Sequence, residues 1–162
     1  MNKFYGTDKY IPYLIETYSD MLIRISFSYM KNLSDAEDIT QEVFIKLLEK
    51  NPSFENVEHE KAWLIRVAIN LSKDKLKSAY FKNTAPLDGD FIDITKEDNE
   101  IIESVLTLPL KYRSIVLLYY YEDYSISEVA TILSLKESTV GSQLSRARKL
   151  LKPILKEDFI YE

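Results

Sequence analysis

The chain has 162 residues, of which 46% are hydrophobic and 29% charged, a composition typical of globular and not of disordered proteins. The absence of cysteine excludes disulfides, thiolate metal sites and cysteine nucleophiles. No N-terminal segment looks like a signal peptide, and no apolar stretch approaches the roughly 18 residues that cross a bilayer. We therefore expect a cytoplasmic protein without direct membrane insertion.

Few helix breakers and long periodic stretches predict an all-α fold, since the chain contains only three glycines and five prolines. The first helix is predicted from Tyr10 to Lys31. Its apolar side is formed by Leu14, Tyr18, Met21, Leu22, Ile25 and Tyr29.

The second helix is predicted to begin at Ser34, because Ser34 and Glu37 match the S-x-x-E capping box, and to end before Pro52. Its predicted core residues are Ala36, Ile39, Val43, Phe44, Leu47 and Leu48. A third helix is predicted from about His59 to the lysine-rich segment near Lys77. Its predicted apolar side comprises Trp63, Val67 and Leu71, with Leu76 as a further candidate.

Residues 83–98 change character, because they contain Pro86, Gly89 and five acids with little helical periodicity. This stretch is typical of a linker. The sequence therefore predicts two small helical domains, residues 1–82 and 99–162, joined by an acidic linker.

Four helices are predicted in the C-terminal part, the third of them opened by a capping box of Ser125 and Glu128. Their predicted ranges are Lys96 to Leu106, Pro109 to Tyr121, Ser125 to Ser134 and Glu137 to Lys152.

The last two of these helices match a helix-turn-helix, whose second helix lies in the major groove of DNA. Ser134 to Lys136 make the turn. The inner faces are predicted to be Ile126, Val129, Ala130 and Leu133, then Val140, Leu144, Ala147 and Leu151. The outward face of the second helix carries residues suited to base edges and phosphates, namely Ser138, Thr139, Ser142, Gln143, Arg146, Arg148 and Lys149. A plain amphipathic hairpin with a solvated basic face is the alternative.

Opposite charges are concentrated in separate segments, although the net charge is −5. Residues 61–82 carry six basic residues and one acid, and residues 136–152 carry five basic residues and one acid. Residues 34–60 carry two basic residues and eight acids. Because DNA responds to the local field within about 8–10 Å, this pattern predicts two DNA contacts and a separate protein contact.

Three blocks resemble, in order, segments of bacterial RNA polymerase sigma factors of the extracytoplasmic-function group. The block Asp35 to Phe44 resembles the segment that docks on the polymerase clamp, and Ala62 to Asn70 with Asp74 resembles the promoter-melting helix. The third block, Tyr124 to Lys152, resembles the C-terminal promoter-reading domain, and Ser138 to Arg148 is its most specific part. The preceding Leu108 to Arg113 looks like the entry to that domain.

The resemblance implies a role for each block. Asp38, Gln41 and Glu42 match positions that bind the polymerase clamp, whereas a solvated acidic face is the structural alternative. The implied minus-ten residues are Trp63, Arg66, Asn70, Lys73 and Lys77, and the implied minus-thirty-five residues are those of the second helix of the helix-turn-helix. Trp63 could instead pack in the core, which is the alternative to a base contact. The alternative for Asn70 is a hydrogen bond at a helix end.

The sequence departs from the family pattern at Gly141, where the family often has a basic residue, and in its use of lysine at positions 73, 75 and 77. Lysine provides charge without the bidentate fork of arginine, which weakens base-specific recognition. The role of Gly141 is left open, between a lost phosphate contact and a closer approach to DNA.

The implied function is that of an alternative sigma factor, which is not an enzyme and needs no cofactor or metal. Its implied partners are core RNA polymerase, promoter DNA and an anti-sigma factor. Two other hypotheses are a stand-alone helix-turn-helix regulator and a metal-dependent enzyme using Glu37, Asp38 and Glu42. The second is weak, because His59 is the only histidine and no ligand geometry is fixed.

Overall fold

The computed structural model describes residues 7–82 and 102–153, and within these two ranges every regular element is helical. The chain divides into two compact units, Met1–Asp90 and Phe91–Glu162. The predicted all-α fold with two helical domains is confirmed. The predicted linker, 83–98, lies outside the described residues.

The first unit contains three helices: α1 (Thr7–Met30), α2 (Leu33–Lys50) and α3 (Val57–Lys82). Helix α1 packs against both of the others, and its last six residues, from Ile25 to Met30, are all buried. The C-terminal end of α1 is therefore buried on every side and lies at the centre of the core of the first unit. All six predicted core residues of α1 are buried, as predicted.

Helix α2 begins earlier than predicted. Its N-cap is Asn32, whose Oδ1 accepts the backbone N–H of Asp35 at 2.9 Å. Ser34 therefore lies inside the helix, and the predicted capping box with Glu37 is wrong. Lys31, directly after α1, has a left-handed backbone conformation with φ of 56°, which ends the helix and turns the chain. The next residue, Asn32, is therefore placed as the N-cap of α2.

The buried faces of α2 and α3 differ in part from the prediction. Leu48 is 52% exposed, whereas the other five predicted core residues of α2 are buried. In α3 the buried residues are Leu64, Ile65, Ala68, Ile69 and Ser72. The predicted apolar side, Trp63, Val67, Leu71 and Leu76, is only half-buried. The buried side of α3 is thus adjacent to the predicted one, which leaves Trp63 at the border of the core.

The second unit contains helical residues 102–106 (α4), α5 (Leu110–Val116), a π-helical segment (Leu117–Tyr121), α6 (Ile126–Leu133) and α7 (Glu137–Leu151). Of the predicted helix Lys96 to Leu106, only 102–106 lie among the described residues, and they are helical. The predicted helix from Pro109 to Tyr121 is α5 followed by the π-helical segment, with Pro109 as N-cap.

The core of the second unit joins these elements. One buried cluster comprises Val105, Leu108, Tyr112, Val116, Leu117, Ala147 and Leu151, with Tyr120 and Tyr121 packed against it. Two tyrosines of the π-helical segment therefore pack against a cluster to which α5 and the C-terminal half of α7 both contribute. This packing helps to fix the position of α7 within the second unit.

Candidate nucleic-acid interface

The turn between α6 and α7 has the hydrogen bonds that a helix-turn-helix needs. The predicted capping box of α6 is present: the Ser125 hydroxyl accepts the Glu128 N–H at 3.1 Å, and the Glu128 carboxylate accepts the Ser125 N–H at 2.9 Å. At its other end Ser134 is left-handed, with φ of 57°, and the Leu135 N–H donates to the Ala130 carbonyl at 2.9 Å. These bonds satisfy backbone groups at both ends of a short helix and fix the turn.

One side of helix α7 is buried, and the opposite side is exposed to solvent. The predicted inner residues Val140, Leu144, Ala147 and Leu151 are all buried. On α6 the buried residues are Val129, Ala130 and Ile132, whereas Ile126 and Leu133 are only half-buried, in contrast to the prediction. The predicted DNA-contacting residues that are exposed on α7 are Ser138, Ser142, Arg146 and Lys149, and those that are half-buried are Thr139, Gln143 and Arg148. The exposed set forms the outer face of α7, with hydroxyl groups near its start and cations in its last turns.

Arg148 differs from the other two cations of α7, because its guanidinium turns toward the π-helical segment. Its Nε donates a short hydrogen bond to the Tyr120 hydroxyl. The same guanidinium lies 5.7 Å from the ring centroids of both Tyr119 and Tyr120. These contacts connect α7 to the segment before the helix-turn-helix, so Arg148 contributes to the packing of α7 whether or not it also reaches DNA.

A second polar and basic stripe runs along α3. Trp63, Arg66, Asn70, Lys73 and Lys77 follow one another at intervals of three or four residues, so they share one helix face, the outer face of α3. Asn70, Lys73 and Lys77 are exposed, whereas Trp63 and Arg66 are half-buried. Lys75 is not on this face: its Nζ lies 3.2 Å from the carboxylate of Asp35 on α2. Lys73 and Lys77 are thus exposed on the outer face of α3, whereas Lys75 is paired with an acid of α2.

An aromatic group lies at the start of this face, and one of its members, Phe54, was not predicted from the sequence. Phe54, in the loop before α3, meets Trp63 edge-on at 5.8 Å between ring centroids and His59 at 5.4 Å. The His59 N–H is bound by the Asn56 side chain, and His59 Nδ1 accepts the Glu55 N–H at 3.3 Å. Phe54 is half-buried and follows no helical period, so no sequence signal linked it to Trp63.

Two tyrosines of α1 hold the opening turn of α3. The Tyr10 hydroxyl donates to one carboxylate oxygen of Glu60 at 2.6 Å, and the Tyr18 hydroxyl donates to the other at 3.3 Å. Charge-assisted hydrogen bonds of this kind are stronger than neutral ones. They fix the register of α3 against α1 one turn before Trp63, and with it the position of the outer face of α3.

A third surface lies on α2, opposite its buried side. Asp38, Gln41 and Glu42 are all exposed, as their predicted binding role requires. Ile45 and Leu48 continue the same side of the helix and are 46% and 52% exposed. We call these five residues the α2 surface. It combines negative charge with two apolar side chains, a mixture typical of protein interfaces and unsuited to phosphate.

The described residues contain no cluster of three or more histidine, aspartate or glutamate side chains placed to hold a metal ion. Within the same ranges, no helix is both long enough and apolar enough to cross a membrane.

Comparison with known proteins decides the family. The model described as Sigma-70 region 2 matches residues 14–81, and the model described as Sigma-70, region 4 matches residues 98–151. The chain is 30% identical to RNA polymerase sigma factor SigV of Bacillus subtilis over 98% of its own length and 99% of that protein. The chain belongs to the sigma-70 family of RNA polymerase sigma factors. It is also 27% identical to the ECF RNA polymerase sigma factor SigW of the same organism, over 89% of this chain and 88% of that one.

Solved structures agree with this fold. The sigma factor RpoE, in its complex with the anti-sigma factor NepR from Bartonella quintana, matches with a TM-score of 0.76 at 22% identity, over 93% of this chain and 99% of that one. CnrH, in complex with the cytosolic domain of CnrY, matches with a TM-score of 0.67 at 20% identity, over 92% and 89%. The resemblance to sigma factors of the ECF group is thus confirmed, and the relatives favour this role over a stand-alone regulator.

Proposed function

We propose that this sigma factor binds core RNA polymerase through the α2 surface and recognises a promoter at two separated elements. The outer face of α3 is assigned to the minus-ten region, and the outer face of α7 to the minus-thirty-five region as duplex. The observation that carries the proposal is that the α2 residues and the exposed members of the α3 and α7 sets lie on helices whose opposite sides form the two cores.

The proposed role of α7 follows from groove geometry. A helix fits the major groove, where hydroxyl and guanidinium groups discriminate base pairs by hydrogen bonding. Ser138 and Ser142 stand near the start of α7, where a recognition helix reaches base edges, and Arg146 and Lys149 stand further along, where cations meet phosphates. Arg148 does not belong to this exposed surface, but its contacts with Tyr119 and Tyr120 help to hold α7 in place.

The proposed role of α3 is capture of opened DNA. Unstacking a base costs a few kcal/mol, and stacking on an aromatic side chain returns about 1–3 kcal/mol per base. Trp63, supported by Phe54, offers an aromatic edge at one end of the outer face. Asn70 offers a hydrogen-bonding group to a base, and Lys73 and Lys77 offer charge to the single-strand backbone.

Neither unit is assigned a catalytic step, because formation of the phosphodiester bond belongs to the polymerase. Two moderate DNA contacts on one chain raise each other's effective concentration, so each can be weak alone. Weak binding of the free chain to DNA is expected, since the net charge is −5. A cytoplasmic place of action and control by an anti-sigma factor are part of the proposal, the latter supported by the complexes in which RpoE and CnrH were found.

The α2 surface provides the test of polymerase binding. Asp38→Ala, and separately Leu48→Ser, should each weaken binding of the full chain to core RNA polymerase about tenfold, which corresponds to about 1.4 kcal/mol. Both side chains are exposed, so the melting temperature should stay within the range of a surface substitution. Titration of labelled chain with core polymerase measures the affinity.

Asp20→Ala is the matched control, because Asp20 is an exposed acid on α1 and its loss changes the net charge by the same amount as Asp38→Ala. Asp20→Ala should bind polymerase as wild type does. Equal loss in Asp38→Ala and Asp20→Ala would indicate a general charge effect, and wild-type affinity of both Asp38→Ala and Leu48→Ser would remove the α2 surface from the proposed interface.

A further inference from the structure

Gly141 is an unusual residue for its position, because it lies inside α7, the recognition helix, where glycine is unfavourable. An interior glycine destabilises a helix by about 1 kcal/mol relative to alanine. A fold tolerates this when the backbone is left-handed or when a neighbour leaves no room for a Cβ atom. Neither condition holds: Gly141 has helical backbone, and a Cβ atom built on it meets no heavy atom of the described part of the chain within 4 Å.

The position of Gly141 around the axis of α7 shows in which direction the missing side chain would point. Counted at about 100° per residue, Gly141 lies about a quarter turn from the middle of the outer face, and so on a flank of the helix. Seven residues later, Arg148 lies on the same flank and is covered by Tyr119 and Tyr120. At Gly141, near the start of α7, the residue is half-buried, but no heavy atom of the described residues lies within 4 Å of where its Cβ atom would stand.

The flanks of a recognition helix face the walls of the groove, which are sugar-phosphate backbone. The major groove is about 12 Å wide, and an α-helix with its side chains is about 10–12 Å across. Such a helix fits with almost no spare width, so the absence of one side chain changes how closely it approaches a wall.

We propose that Gly141 is a positioning residue for duplex recognition: its missing side chain lets the α7 backbone lie against one DNA strand, and the DNA, not the fold, is the reason for the glycine. The inference rests on the proposed function, since it assumes that α7 enters the major groove. It assigns a role to the residue of the recognition helix whose role the sequence leaves open.

The test separates folding from binding. The full chain is assembled with core RNA polymerase, and wild type is used to enrich duplex fragments from a library randomised upstream of a fixed start region. Gly141→Ala should raise the melting temperature of the second unit by about 4–8 °C, the shift that a gain of helix propensity gives in a domain of this size. The same variant should bind the enriched fragments about tenfold more weakly, and Gly141→Leu more weakly still.

The weakening should be similar for all enriched fragments, because a wall contact reads backbone and not base sequence. Thr131→Ala is the control: Thr131 is exposed on α6, its hydroxyl donates only within the helix, to Ser127, and the change also raises helix propensity. Thr131→Ala should gain stability and keep wild-type affinity.

Several results would overturn the inference. Unchanged or tighter binding by Gly141→Ala would show that the DNA leaves room for a side chain, and tighter binding by Gly141→Lys would show that the position merely lacks a phosphate contact. A lower melting temperature for Gly141→Ala would show that the fold requires the glycine. Failure of wild type to enrich any duplex, despite binding polymerase, would instead contradict the proposed function and the inference with it.

Discussion

Leu144→Ala should unfold much of the second unit while leaving the first intact. Leu144 is fully buried in α7, and leucine-to-alanine changes at such sites cost about 2.7–5 kcal/mol. At about 0.05–0.15 kcal/mol per residue, a unit of this size has a total stability of the same order. We therefore expect increased hydrogen exchange throughout α5, α6 and α7, with exchange in α1, α2 and α3 unchanged.

Leu150→Ala is the matched control for this prediction. It makes the same chemical change on the same helix, at a side chain that is 47% exposed. Its cost should stay below about 1 kcal/mol, because little apolar surface returns to water. Leu144→Ala should also abolish binding to the upstream promoter element while polymerase binding through the α2 surface persists. Similar costs for the two leucines, or equal exchange in both units, would contradict the burial pattern described above.

Arg148→Ala should lower the stability of the second unit by about 1.5–3 kcal/mol, whereas Arg146→Ala should change it by less than about 0.5 kcal/mol. The difference follows from their surroundings. Arg148 is half-buried, hydrogen-bonded to the Tyr120 hydroxyl and placed over two tyrosine rings, whereas Arg146 is exposed. Urea unfolding followed by tyrosine fluorescence or circular dichroism measures both variants.

A double-mutant cycle isolates the contact. Tyr120→Phe removes only the hydroxyl, and its coupling to Arg148→Ala should be about 0.5–3 kcal/mol, as for residues in direct contact. For DNA binding, Arg146→Ala should have the larger effect of the two substitutions. It should weaken binding to the upstream promoter element and reduce the salt slope of that binding by about one, while the stability of the second unit is preserved. Additive effects of Arg148→Ala and Tyr120→Phe would show that the hydrogen bond between the two side chains contributes nothing to the fold.

Some features of the fold follow from local sequence alone. The inner face of α7 and the capping box of α6 were predictable, because a strongly polar opposite side and a short-range hydrogen-bond pattern define them. The outward position of Asp38, Gln41 and Glu42 was predictable for the same reason.

Other features required the tertiary structure. Helix α3 is apolar over much of its circumference between Trp63 and Leu71, so periodicity could not choose between two adjacent stripes, and packing against α1 selected the one with Leu64 and Ala68. Leu48 follows the buried Phe44 by four residues, but it lies on the exposed side of α2 with Gln41 and Ile45. Asn32 and Ser34 are both residue types that are favoured at N-caps. Asn32 is the N-cap because the left-handed residue Lys31 turns the chain directly before it.

The π-helical segment was also beyond sequence reasoning, since Leu117–Tyr121 reads as an ordinary continuation of α5. Its wider turn is closed by a hydrogen bond from the Glu122 N–H to the Leu117 carbonyl at 3.0 Å. The packing of Tyr120 and Tyr121 on the second core, and the contact of Tyr120 with Arg148, depend on residues about 30 positions further along the chain, which no local pattern contains.

The most direct test of the account is reconstitution with polymerase. The purified full chain is mixed with bacterial core RNA polymerase, and the mixture is assayed for a stable complex and for transcripts from genomic fragments. We expect co-elution with the core enzyme and initiation at a small set of start sites that share two separated upstream elements. A chain that fails to associate with core polymerase, or that leaves its transcripts the same as those of core alone, would contradict the proposed function.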